Sequence, residues 1–143
     1  MSINEDNTPA RTSVSDLEAF QNAYLYFVSA VGTLAASPEQ QCEWMGDFNV
    51  AWELKDDVSA GKFLVGREML SPAQENAILR LVSSLQAIPS SVLPAGSGRE
   101  VNLKAMQDPS WSSLRVEAAR LLKQFATLTQ EVESALRVGK NAP

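Results

Sequence analysis

Apolar residues recur at steps of three and four from Leu17 onward: Leu17, Phe20, Tyr24, Phe27, Val31 and Leu34. That spacing lines one face of a helix. Ser15 with Glu18 three residues later has capping-box form, so the spacing predicts a helix over 15–35. The first twelve residues are polar, carry Pro9 and show no apolar period, which predicts a flexible N-terminal tail. Ser37-Pro38 closes the first helix and opens a second, with Gln40 completing a box. Trp44, Phe48, Ala51, Trp52 and Val58 would then point inward over 38–59. Gly46 and Asn49 weaken this helix, so the pattern allows a kink or two shorter helices. Gly61 is its expected stop. Residues 62–70 read as either a short strand or an irregular connector.

The same device returns at Ser71-Pro72-Ala73-Gln74. Ile78, Leu81, Leu85 and Ile88 follow on the face of Gln74, predicting a helix over 71–88 that Pro89 ends. Two prolines and two glycines between 89 and 100 predict a surface loop, with a helical turn near Asn102–Asp108. A last helix is predicted over 110–137, on Leu114, Ala118, Leu121, Phe125, Leu128, Val132 and Ala135, with Gly139 beyond it. No hairpin turn signal flanks alternating residues. The expected fold is therefore all-α: one helical domain over 13–139, a short C-terminal tail over 140–143, and four main helices burying their stripes as an antiparallel bundle.

Charge changes this picture more than composition does. The 143 residues carry a net charge of −5, and 45% are apolar, a globular balance. Residues 1–60 hold ten acids against Arg11 and Lys55, whereas residues 61–143 hold ten bases against seven acids. Six acids fall between 39 and 57, beside the single Lys55. An acidic chain is a poor ligand for nucleic acid or an anionic membrane, so neither is expected as partner. A basic protein suits it. The N-terminal stretch has no basic region followed by an apolar one, so no signal peptide is expected and the cytoplasm is the default compartment.

The residue inventory also restricts catalysis. There is no histidine, which removes Ser-His and Cys-His pairs and His-ligated metals. Cys42 is the only cysteine. Glu43 beside it raises a thiol pKa rather than lowering it, so Cys42 reads as a small buried residue. No catalytic set, cofactor or metal site is expected. The surviving enzyme chemistry is carboxylate with Mg²⁺. Glu53 and Asp56 have the Glu-x-x-Asp form of the all-α nucleotide pyrophosphohydrolases resembling MazG. The preceding pair, Glu39 and Glu43, is one residue wider than the Glu-x-x-Glu of that family.

At 100° per residue, Trp44, Phe48, Ala51 and Val58 share one side of a helix, and Glu39, Glu43 and Asp57 lie on a flank away from it, with Asp47 between. Acids four apart repel by a few tenths of a kcal/mol per pair, which a basic partner would relieve. Trp44, Trp52 and Trp111 read as core, Trp111 as a hydrophobic staple at a helix start. Trp52 is the best interface candidate among them, at the edge of the stripe. The candidate partner-binding residues are Glu39, Glu43, Asp47, Trp52, Glu53, Asp56 and Asp57.

The segments "MGDFNVAWELKDDVSAG", "LSPAQENAILRLVSSL" and "DPSWSSLR", in a small acidic chain, resemble the small immunity proteins of bacterial polymorphic-toxin and contact-dependent growth inhibition systems. The resemblance implies a non-catalytic inhibitor that binds a cognate toxin domain, often a nuclease with a basic cleft.

Overall fold

The computed structural model describes residues 2–141, with side chains from 16 to 138. The chain is all-α, as its periodicity implies, and the described residues contain one isolated β-bridge, Phe48 to Ser97, and no strand. The helices are α1 (Ser2–Ala35), α2 (Pro38–Trp44), α3 (Val50–Ser59), α4 (Pro72–Gln86), α5 (Arg99–Met106), α6 (Ser112–Gln124) and α7 (Ala126–Asn141). Among the described residues seven α-helices replace the expected four, and the arrangement is not a four-helix antiparallel bundle. α1 is the spine. It packs most extensively on α6, and also against α3 and α7; α4 lies against α6, and α5 covers α2 and α3.

α1 buries the expected stripe of Phe20, Tyr24, Phe27, Val31 and Leu34, although Leu17 stays exposed. The helix runs from Ser2, upstream of the predicted start at Ser15. The predicted tails at 1–12 and 140–143 fall where no side chain is described. Tyr24 organises the core. Its ring stacks between Phe20 and Phe125, with centroids 6.3 Å away in both cases. Its hydroxyl lies 2.8 Å from Thr129 Oγ1, giving a buried polar atom the partner it needs.

Both Ser-Pro helix starts form as expected. Ser71 Oγ accepts from the Gln74 N–H at 3.1 Å, and Gln74 Oε1 accepts from the Ser71 N–H at 2.8 Å. The Ser37–Gln40 box is its counterpart. The predicted 110–137 helix divides at Phe125, where ψ is 2°. Helical hydrogen bonding passes through this residue, from its N–H to the Leu121 carbonyl and from the Thr129 N–H to its own carbonyl. The apolar period is therefore intact on both sides of the bend. Residues 62–70 form no strand: Ala60–Leu64 is a 3₁₀ turn and irregular chain follows. Gly61 lies against the Phe27 ring, too close for any Cβ.

The predicted 38–59 helix takes its two-part form. Gly46, Asp47 and Asn49 all have positive φ, at 73°, 54° and 46°. Gly adopts that region freely, and Asp and Asn tolerate it better than other residues. The turn is held from outside by Asn102 on α5. The Asn102 side-chain NH₂ donates to the carbonyls of Asp47 (2.8 Å), Gly98 (2.7 Å) and Gly96 (3.2 Å). Its Oδ1 accepts from the Val50 N–H at 2.9 Å, at the first residue of α3. Asn49 repeats the pattern against Gly96, accepting at 2.7 Å through Oδ1 and donating at 2.9 Å through its N–H. The Gly98 N–H donates to the Asp47 carbonyl at 2.8 Å. Arg99 Nε reaches Asp47 Oδ1 at 2.5 Å.

This turn changes where the aromatics go. The helix that would have carried Trp44, Phe48 and Trp52 inward is interrupted among them. They are 58%, 50% and 41% exposed, so the core assignment of these three is corrected. Gln41 and Cys42 from α2, and Val50, Ala51, Leu54 and Val58 from α3, are buried instead. Trp111 is fully buried, deeper than a staple at a helix start requires.

Asn102→Ala should cost about 1–3 kcal/mol, the range for stranding a buried donor such as the Val50 N–H. Denaturant melts of the variant and the wild type measure it. An unchanged midpoint would show that the turn holds without Asn102.

Candidate protein-binding surface

The seven acid-and-tryptophan candidates do not form one patch. Glu39 sits exposed in the first turn of α2. Its charge acts on Arg115, whose guanidinium burial otherwise lowers its pKa. Glu43 is exposed. Asp47 is occupied by Arg99, so it serves the turn rather than a partner. Trp52 and Asp56, one helical turn apart, face outward from α3.

Glu53 and Asp57 point elsewhere. They line a cleft of about 340 Å³ between α3 and α1, closed at one end by Trp44 and Met45 from the end of α2. Tyr26, Ser29, Ala30 and Thr33 make its α1 wall, and Leu54 lies between the two acids. Tyr26 is 73% exposed. A second cleft, of about 240 Å³, adjoins the first: Tyr26 and Asp57 line both, and Phe63 and Arg67 complete the second.

Asp57 is the electrostatically unsettled member. Partial burial pushes its carboxyl above the usual range, and the charges of Glu53 and Asp56 push it further. Among the described residues the one ion pair within 4.0 Å is Arg99–Asp47, so none of these three acids is neutralised by a close salt bridge. Cys42 is buried and unpaired. Burial raises its thiol pKa, Asp47 and Glu39 add to this, and Arg99 opposes it. A protonated buried thiol has little nucleophilicity. No group of three or more Cys, Asp or Glu among the described residues stands close enough to hold a metal ion.

The structure therefore brings together Glu53 and Asp57 with Trp44 and Tyr26, and leaves Trp52 and Asp56 on the outer side of α3. Sequence reasoning missed Tyr26 because it lies between the stripe residues Tyr24 and Phe27, on a flank of α1 outside the buried stripe. The signal was present: an aromatic off the buried face must meet solvent or a partner. It missed Asn102 and Arg99 for another reason. Their roles depend on contacts across about fifty residues of chain, which no local spacing records. Among the described residues no helix is long and apolar enough to cross a membrane. No family model, curated protein or solved structure matches the chain.

The raised carboxyl of Asp57 has a signed consequence. The folded state holds this proton more tightly than the unfolded state, so the site favours folding when protonated, and that advantage is lost as pH rises through the carboxylate range. Asp57→Asn should raise the melting temperature at pH 7. The gain should vanish below about pH 3.9, the unperturbed carboxyl value, where the wild-type residue is protonated in both states. A variant less stable than wild type at pH 7 would contradict this.

Proposed function

We propose that this chain is a non-catalytic protein-binding domain: a cytoplasmic immunity protein that neutralises a cognate bacterial toxin by docking its acidic surface on a basic toxin domain. One observation carries the reading. Carboxylates Glu53 and Asp57, without a salt bridge among the described residues, line one cleft with exposed Trp44 and Tyr26, and exposed Trp52 and Asp56 lie on the outer side of the same helix α3. Folded domains bury most large aromatics, and Trp and Tyr are enriched among the residues that dominate protein interfaces. Acids around them supply the other requirement, a field that draws a basic partner in and selects it. The resemblance to immunity proteins supplies the biological setting. Magnesium-dependent nucleotide hydrolysis rests on the Glu53-Asp56 spacing alone and gains no support from the site.

The gene immediately upstream provides the test. Its product should contain a toxic domain that co-expression of this chain neutralises. Association should be fast and salt-sensitive, because exposed charges are screened beyond about 8 Å at physiological ionic strength. Replacing Glu43, Asp56 and Asp57 together by Lys should slow association about tenfold or more, within the range that steering contributes, while leaving the domain folded in a cooperative melt. An association rate independent of both salt and these substitutions would refute the acidic surface as the docking face.

A further inference from the structure

The two adjoining clefts differ in charge. The smaller contains Arg67, whose guanidinium stands 6.0 Å from the Phe20 ring. The larger is lined by two carboxylates, two exposed aromatics and no basic side chain. Its floor is apolar, with Ala30 and Leu54 both buried. The chain thus sets one guanidinium near an aromatic ring in its own packing, and beside it leaves an aromatic cleft whose two carboxylates have no salt bridge among the described residues.

We propose that the α1–α3 cleft receives the guanidinium of an arginine side chain presented by the protein partner, against Trp44 and Tyr26 and paired with Glu53 and Asp57. The proposal rests on the protein-binding reading above and adds the chemistry of its anchor. A guanidinium is planar and weakly hydrated. It stacks on aromatic faces and pairs with carboxylates in a fixed fork, whereas an ammonium keeps its water more tightly. Cation–aromatic contact strengthens as the site loses water, and a cleft floored by Leu54 and Ala30 excludes water better than an open helix face. Charge complementarity selects a cation. The two aromatic walls select the flat one. Burial is the first cause of the raised pKa of Asp57; the charges of Glu53 and Asp56 add a repulsion that such a cation would relieve.

Three synthetic peptides test this: four Gly-Arg repeats, the same peptide with citrulline for arginine, and the same with lysine. Citrulline keeps the shape and removes the charge. Binding is read on the full chain by the indole N–H resonances of its three tryptophans, and affinity by anisotropy of labelled peptide. The arginine peptide should shift the Trp44 resonance saturably and leave that of buried Trp111 in place. The citrulline peptide should bind at least tenfold more weakly, and the lysine peptide more weakly than arginine. Trp44→Ala, and the pair Glu53→Gln with Asp57→Asn, should each lower arginine-peptide affinity about tenfold, the order expected for losing a partly desolvated cation contact. All these side chains reach solvent, so the variants should stay folded: Trp44→Ala close to the wild-type melting curve, and the pair containing Asp57→Asn no less stable than wild type at pH 7.

Several outcomes overturn the proposal. One is equal binding of the citrulline or lysine peptide. Another is no binding of the arginine peptide at millimolar concentration. A third is arginine-peptide binding that shifts only Trp52 and survives the cleft substitutions. In that third case the cleft fails as the anchor while the wider acidic surface stands. The reverse case is cleft binding of the arginine peptide with no charge-dependent toxin association, which defeats the docking reading alone.

Discussion

One amide side chain determines what this protein shows to its surroundings. Asn102 spends its NH₂ on three carbonyls around the α2–α3 turn and its oxygen on the first N–H of α3. Asn102 and Val50 are buried, so the amide and the Val50 N–H would otherwise be polar groups cut off from water. Only a turn with its backbone groups aimed at α5 satisfies them. That requirement keeps Gly46, Asp47 and Asn49 at positive φ, a conformation a continuous helix would never visit.

The exposed surface follows from the turn. In an uninterrupted helix Trp44, Phe48 and Ala51 would share one buried face. Once the chain turns between Trp44 and Val50, α3 takes a new register and buries Val50, Ala51, Leu54 and Val58 against the core. Trp44 and Trp52 are left in solvent, and Glu53 and Asp57 are brought to face α1 across a cleft with Tyr26. The acids thus separate into kinds. Asp47 is structural, tied to Arg99. Glu39 serves the start of α2 and the field at Arg115. Glu39, Glu43, Glu53, Asp56 and Asp57 make no salt bridge within 4.0 Å among the described residues, and of these Glu53 and Asp57 line the α1–α3 cleft.

Much of the fold was legible where local chemistry alone decides it. The Ser-Pro-x-Gln starts of α2 and α4, the buried stripe of α1 and the core residues Ile78, Leu81 and Leu85 of α4 depend on contacts within a few residues and on one apolar face, and both leave a period in the sequence. Gly46 and Asn49 announced a weak point in the second helix without saying which way the chain would turn. The bend at Phe125 left no mark, because the hydrogen bonding and the apolar spacing both continue through it. At the site, the crowding of acids between 39 and 57 was visible, but the division among them was not. Arg99 and Asn102 lie in a segment whose glycines and prolines read as loop, and their partners are fifty residues away. Trp44 and Phe48 were misplaced for the same reason: their exposure depends on a turn fixed by a distant amide.

The central claim is that this turn presents an acidic and aromatic face, between α1 and α3, to a basic protein. Oxidative footprinting of the chain alone and with the basic domain proposed as its partner tests it most directly, because hydroxyl radicals report tryptophan and tyrosine exposure residue by residue. Tyr26, Trp44 and Trp52 should lose most of their reactivity in the complex, with Val116 and Val138 on the far helices unchanged. Full reactivity of Tyr26 and Trp44 in the complex, with protection confined to α6 and α7, would contradict the account.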